Sequence, residues 1–257
     1  MTGYPVLRSF SQEVVPVLAR HNSVRLVSPA GSTATASAVG VLDRTTYPRL
    51  RDSLLELAAD ARDAVLVDVE RLALRDPALL RVFALVALRV GDWPAVPFAL
   101  VTGRPEQRAV LAGQNVPVYA DAAAAEAALP RPAAKRARRV LVRSSRTSAS
   151  AREFVRSTCA RWGVPELAED AELIATELVE NTLRHTDSVP RLRLELRRGR
   201  LAVEVADDSS RPAFVREGLD LTETGLGMRM VAKVSKTWGS SPRRSGGKTV
   251  WAVLARR

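Results

Sequence analysis

Apolar and polar residues follow two different periods along this chain, and the periods alternate in a regular order. AVLVDV (64–69) and PFALV (97–101) are short and almost continuously apolar, the composition of strands buried on both faces of a sheet. SVRLV (23–27) and ATASAVGVL (34–42) are also strand-like. Helical spacing lies between and after them. In TTYPRLRDSLLELAAD (45–60), Leu50, Leu54, Leu55 and Leu57 recur near the 3.6-residue period. DPALLRVFALVALRV (76–90) opens with Asp76 as N-cap and Pro77 at the first helical position. RPEQRAVLAG (104–113) ends at Gly113, and DAAAAEAAL (121–129) is helix-like. Strands alternating with helices predict an α/β layer fold.

After residue 130 the pattern restarts. PRPAAKRARR (130–139) holds two prolines and five basic residues with no acid, which predicts a linker. RRVLVR (138–143) predicts a strand. SASAREFVRSTCARWG (148–163) predicts a helix, with Ser150 and Glu153 as a capping box and Gly163 as its end. PELAEDAELIATELVENTLRHT (165–186) predicts a second helix, and RLRLELRRGRLAVEVAD (191–207) two strands about a turn at Gly199. An irregular stretch, 208–224, leads to a helix over 225–239 and a closing strand in KTVWAVLAR (248–256). The chain therefore divides into an N-terminal extension (1–21), an α/β domain (22–129), a basic linker (130–139) and a second domain (140–257).

Composition changes this picture in a few respects. At 257 residues, 46% hydrophobic and 26% charged, the chain is long enough for two cores and has the balance of a globular protein. VFALVALRV (82–90) is interrupted by Arg89 and falls short of the roughly 20 apolar residues that span a bilayer. The first residues, MTGYPVLRSFSQEVV, lack the basic start and apolar run of a secretory signal, and one cysteine, Cys159, cannot form an intrachain disulfide. These features predict a cytoplasmic protein with no membrane partner. The net charge of +11 is lopsided: acids and bases balance over 1–130, so the excess lies in 131–257. Such a half suits nucleic acid, a polyphosphate ligand or an acidic protein. With only 5% aromatics and no recognisable reading helix, nucleic acid is the least supported of the three.

The candidate chemistry lies in the same half. In TELVENTLRH (176–185), Glu177, Asn181 and His185 are spaced four apart. Leu167, Ala171, Ile174 and Leu178 mark the apolar face of that helix, and Glu177 and Asn181 fall on its edge. A carboxylate and an amide at a core boundary are costly without partners. A hydrated magnesium ion and a phosphate chain would supply them; the alternative is a helix face simply turned to water. LAVEVADDSS (201–210) runs a strand into Asp207-Asp208, where a carboxylate can accept from an amino group such as that of adenine or just form a turn. TGLGMRMV (224–231) places Gly225 and Gly227 before a helix, where backbone N–H groups can approach an anion. SGGKTVW (245–251) suggests a P-loop, but the first glycine of that motif would fall on Pro242 and a strand follows Lys248.

Taken in order, ELVENTLRH, VEVADDS, GLGMRMV and GGKTVW resemble the GHKL ATPase superfamily, which includes histidine kinases and gyrase, and within it the anti-sigma-factor serine kinase branch. The resemblance spans about 135–257. It implies a two-layer α/β sandwich with ATP between helix and sheet. It implies Asn181 as the Mg²⁺ ligand, Glu177 as catalytic base, Asp207 on the adenine amino group with Thr249 supporting it, and Gly225 and Gly227 in a lid over the phosphates. It assigns no chemistry to His185. The Asp motif lacks a glycine common in relatives, and no phosphoaccepting histidine domain precedes it.

Residues 22–128 more loosely resemble a STAS domain, the fold of anti-sigma-factor antagonists, on GVLDRTTYPRLRDSLLELAAD, AVLVDVERLALRD and VPFALVTGRPEQRAVLAG. In antagonists a phosphorylated serine follows the Asp that opens the central helix. Here Pro77 and Ala78 follow Asp76 and carry no hydroxyl, which implies a docking or regulatory half. The two resemblances imply an ATP-binding serine/threonine protein kinase that regulates transcription by partner switching, with a sigma factor or a separate STAS protein as partner and a homodimer as one possible state. The alternative is a non-catalytic ATP-binding adaptor.

Overall fold

The computed structural model describes residues 25–27, 33–130, 133–209, 226–243 and 245–256. The expected N-terminal extension and Gly225 lie outside them. No helix among the described residues is long and apolar enough to cross a membrane.

The first unit is a mixed α/β layer structure built on a largely parallel sheet. Its elements are β1 (Arg25–Val27), β2 (Ala34–Leu42), α1 (Tyr47–Ala59), β3 (Val65–Asp68), β4 (Leu72–Leu74), α2 (Arg81–Asp92), β5 (Phe98–Val101), α3 (Pro105–Ala112), β6 (Val118–Tyr119) and α4 (Ala122–Ala128). The sheet order is β1-β2-β3-β5-β6, with β4 also pairing β2; only β1 runs antiparallel to its neighbour. The continuously apolar β3 and β5 are central because both their faces are covered. Val65, Val67, Phe98 and Leu100 pack with Leu50 and Leu54 of α1 and Phe83 and Val86 of α2. Leu66, Ala99 and Val101 pack with Ala125 of α4 on the other side. Asp76 caps as its sequence suggests, accepting from the Ala78 N–H at 2.9 Å, but the first turn, Pro77–Leu80, is 3₁₀ and α2 continues from it.

The second unit is a five-stranded antiparallel sheet with helices on one face. Its elements are β7 (Ala134–Val140), α5 (Thr147–Trp162), α6 (Ala168–His185), β8 (Arg191–Arg197), β9 (Arg200–Asp207), α7 (Leu226–Val234), β10 (Thr237–Pro242) and β11 (Lys248–Ala255), in sheet order β10-β11-β9-β8-β7. Ile174 and Leu178 of α6, Val155 of α5 and Met228 and Val231 of α7 pack on Leu192, Leu194, Val203, Val205, Val250 and Ala252.

Three expectations change. The basic run expected to be a linker over 130–139 is, from Ala134 onward, the edge strand β7, paired along its length with β8. Its arginines are accommodated because an edge strand keeps long charged side chains in water. The capping box at Ser150 does not form, since α5 begins a turn earlier: Thr147 Oγ1 accepts from the Ser144 N–H at 2.8 Å and donates to the Val142 carbonyl at 2.7 Å. The helix expected to reach residue 239 stops at Val234, and Thr237–Pro242 pairs with β11 as β10. Gly163 ends α5 in the left-handed region, as expected.

The sheet face turned away from the helices meets the first unit. Trp93, just after α2, stacks on Trp251 of β11 with ring centroids 4.9 Å apart and planes 9° from parallel. Its indole N–H donates to Glu204 Oε1 at 3.0 Å. Gly239 lies beneath Trp251, where a Cβ would come within 2.6 Å of the ring. Ala59 of α1, Ala202 and Val253 complete the cluster. Around it, Glu195 binds Arg197 (2.7 Å), Arg193 (2.9 Å) and Arg136 (3.0 Å), and Arg193 reaches Glu204 at 3.3 Å. Arg136 and Arg197 both donate to the Arg62 carbonyl of the first unit. Burial pushes the Glu204 carboxyl up, against the pull of Arg193 and the Trp93 indole. At Glu195 burial also acts upward, but hydrogen bonds from Arg197 and Arg136 outweigh it and the net shift is down.

Trp93 is 5% exposed and serves both stack and hydrogen bond. Trp93→Ala is expected to destabilise the protein by about 3–5 kcal/mol, the range for large aromatics removed from a core. Urea unfolding followed by far-UV circular dichroism measures it, and a loss below about 1 kcal/mol would mean the two units are not held by this contact.

Candidate functional site

Helix α6 presents the opening candidates. Ala171, Ile174, Ala175, Leu178 and Val179 are its buried face. Acids Glu169 and Asp170 in its first turn and Arg184 and His185 in its last suit the helix dipole. Arg143 fixes the C-terminal end by donating to the carbonyls of Leu183, Thr186 and Ser188 at 3.0–3.1 Å. Glu177 and Asn181 are half-buried at the edge of the apolar face. Neither makes a hydrogen bond or ion pair within the protein among the described residues. Burial, with a smaller contribution from the Glu180 charge, raises the Glu177 carboxyl above its ordinary value. His185 is exposed and lines a cleft of about 450 Å³ with Asp187, Ser188, Asp208 and Ser209.

The glycine at the start of α7 meets this face directly. A Cβ on Gly227 would overlap the Glu177 carboxylate at Oε2, so a larger residue there would displace that carboxylate from its present position. The structure thus brings Gly227 and Glu177 together.

Asp207 ends β9 on the same side of the sheet as Leu201, Val203 and Val205, that is, on the helix side. It is 1% exposed. Its Oδ1 accepts from Lys248 Nζ at 2.9 Å and from the Ser209 N–H at 2.8 Å. Lys248 is the register partner of Asp207 and is also buried. Gly247, at φ +76, touches the Asp207 carbonyl where a Cβ would overlap it. A buried charge needs a partner of opposite sign, and Lys248 is that partner. Asp208 points elsewhere: its carboxylate pairs with Arg191, which holds it below its ordinary value.

Thr249 is not brought to Asp207. Alternation puts it on the opposite face of the sheet with Trp251 and Val253, beside Ala206 and Glu204. The side chain beside Asp207 is Lys248, which no sequence pattern singles out once the P-loop is rejected. Only the register of β11 on β9 reveals it. Pro77 and Ala78 are exposed at the start of the 3₁₀ turn before α2, with no hydroxyl at either position.

Half-buried Glu177 and Asn181 leave acceptor and carbonyl oxygens available at the helix edge, fitting a cation that keeps most of its water and phosphate ligands, as Mg²⁺ does. Buried Asp207 fits a neutral amino donor at the far end of a nucleotide.

Residues 142–254 match the family model of the histidine kinase-like ATPase domain. No curated protein matches the chain. Among solved structures the chain is similar to an anti-sigma factor antagonist from Mycobacterium paratuberculosis, at 19% identity over 44% of this chain and 98% of that one, with a TM-score of 0.35. It is also similar to the anti-sigma factor antagonist SpoIIAA in its unphosphorylated form, at 20% identity over 40% of this chain and 92% of that one, with a TM-score of 0.33. The antiparallel sheet backed by α5, α6 and α7, with the acid–amide pair on α6 and the buried aspartate ending β9, is accordingly a histidine kinase-like ATPase domain, carried behind an α/β unit with a parallel sheet.

Proposed function

We propose that the chain binds Mg²⁺-ATP through residues 142–254 and acts as a serine/threonine protein kinase of the anti-sigma-factor type, regulating transcription by partner switching. The observation that carries this reading is the pair Glu177 and Asn181, half-buried on α6 and unpartnered among the described residues, with Gly227 packed on the Glu177 carboxylate. Bound ATP and Mg²⁺ supply the transferable phosphoryl group and neutralise its charge. Asn181 holds the cation through its amide oxygen. Asp207 accepts from the adenine amino group, which must share the carboxylate with Lys248. Glu177 orients an incoming serine or threonine hydroxyl and takes its proton. Phosphoryl transfer rests mainly on positioning and charge neutralisation, so this small set suffices. The acceptor is a separate STAS-type protein, since Pro77 and Ala78 offer no hydroxyl in this chain.

That missing hydroxyl also supports a second reading, a non-catalytic adaptor. ATP then orders the domain for a sigma factor or STAS protein, and the switch works by binding alone.

Transfer of label from γ-labelled ATP to a STAS-type partner separates the two. Under the kinase reading, Glu177→Gln lowers the transfer rate about 100- to 10,000-fold, the range for losing a general base, while ATP affinity measured by calorimetry stays near wild type. No transfer by the wild-type protein that nonetheless binds ATP favours the adaptor.

The base works only when deprotonated. Because its pKa is raised, transfer is expected to decline as pH falls through a value above the ordinary glutamate pKa of about 4.3. A pH–rate profile flat down to that value removes Glu177 from the proton transfer.

Asp207→Asn is expected to weaken ATP binding about 10- to 100-fold, the equivalent of one charge-assisted hydrogen bond. Calorimetric affinity unchanged in that variant would place the adenine elsewhere.

A further inference from the structure

On the sheet face turned away from α5, α6 and α7, a cleft of about 760 Å³ lies between the two units. Small side chains, Ala206 and Thr249, lie at its base, and arginines surround them: Arg62 from the first unit, Arg138 on β7, Arg191 on β8 and Arg243 after β10. Arg136, Arg138 and Arg139 of the basic run, part of the positive excess of the second half that the ATPase chemistry leaves unexplained, contribute to this wall.

Its charge is poorly balanced. Arg62, Arg138 and Arg243 meet no carboxylate within ion-pair distance among the described residues. Arg191 gives one nitrogen to Asp208, while its Nε is shielded from solvent and has no acceptor among the described residues. Among the described residues the acids on the walls are Asp60 and Glu204, and Glu204 is already engaged by Trp93 and Arg193. Guanidinium groups that line one cleft with few carboxylates to balance them favour an anion between them.

We propose that this cleft is a second ligand site, for a small polyanion bearing two or more phosphate or carboxylate groups. Its volume is in the range of metabolite pockets, roughly 300–1,000 Å³, and too small for a nucleic-acid helix. Among the described residues no aromatic side chain lines it, so anionic groups and not a stacked ring carry recognition. The site is distinct from the nucleotide site because Ala206 and Thr249 face away from Asp207 and Lys248 by strand alternation. A ligand held by Arg62 on one side and Arg138, Arg191 and Arg243 on the other ties the two units together. It also touches the strand ends that carry Asp207 and Lys248 on their other face.

Inorganic tripolyphosphate titrated into the full chain in EDTA, by calorimetry, tests the proposal. The wild-type protein is expected to bind it, with affinity falling as salt is raised and thermal stability rising with its concentration. Arg62→Ala/Arg138→Ala is expected to weaken binding at least tenfold and to leave ATP affinity unchanged. Arg243→Ala, on another wall, gives the same loss should the double variant unsettle the fold. Asn181→Ala is expected to leave tripolyphosphate binding intact, so a failure of the ATP reading does not touch this result. Absence of binding by the wild type, equal binding by all the arginine variants, or loss of binding in Asn181→Ala would each overturn it.

Discussion

Lys248 stands opposite Asp207, Trp251 opposite Glu204, and Leu254 opposite Leu201. This register of β11 on β9 sets both faces of the second sheet at once. Because side chains alternate, one face receives Leu201, Val203, Val205 and Asp207 with Lys248, Val250, Ala252 and Leu254. The other receives Ala202 and Glu204 with Thr249, Trp251 and Val253. A slip by one residue would exchange the faces. It would turn the Trp251 ring into the helix core and strip Asp207 of its lysine. Removing one partner of a buried pair costs about 3–5 kcal/mol because the remaining charge stays buried, so the native register is strongly preferred.

The two faces have different chemistry. On the helix side, apolar packing holds α6 so that its polar edge, Glu177 and Asn181, stays at the boundary of core and solvent. Gly227 lets α7 come close enough to narrow the space around the Glu177 carboxylate. On the opposite side, two glutamates are buried between units and are satisfied by Arg136, Arg193, Arg197 and the Trp93 indole. The opposite shifts of Glu195 and Glu204 follow from partner number: three guanidinium groups outweigh desolvation at Glu195, whereas one guanidinium and a neutral indole do not at Glu204. This network fixes orientation between the units, since its donors reach the Arg62 carbonyl as well as the carboxylates.

The arrangement places the first unit behind the ATPase sheet and not over the helices that carry the acid–amide pair. Among the described residues, the contact that links the first unit to the proposed nucleotide site runs through the sheet. The path is short: Glu204 and Asp207 share β9, and Trp251 and Lys248 share β11.

Much of this protein is legible in its sequence. The helical period carried by Ala171, Ile174 and Leu178 locates α6 and the edge on which Glu177 and Asn181 lie. The continuous apolar runs locate β3 and β5, and Gly163 and Asp76 punctuate their helices, because these features depend on residues close together in the chain. What the sequence does not show is non-local. The run at 134–140 has the composition of a linker and is a strand because β8 offers it a ladder and Glu195 an anion. Residues 237–242 lack an apolar alternation and are a strand because β11 pairs with them. Thr249 and Lys248 are neighbours in the chain, and nothing local says which of them shares a face with Asp207. Local period and capping residues determined most of the helices and strands, and the resemblance of four ordered motifs pointed to the second half as the one that carries the ATPase domain. Strand register, the burial of Glu204 against Trp93 and the arginine-walled cleft were decided only when distant segments met, because pairing and desolvation energies exist only between residues that the fold brings together.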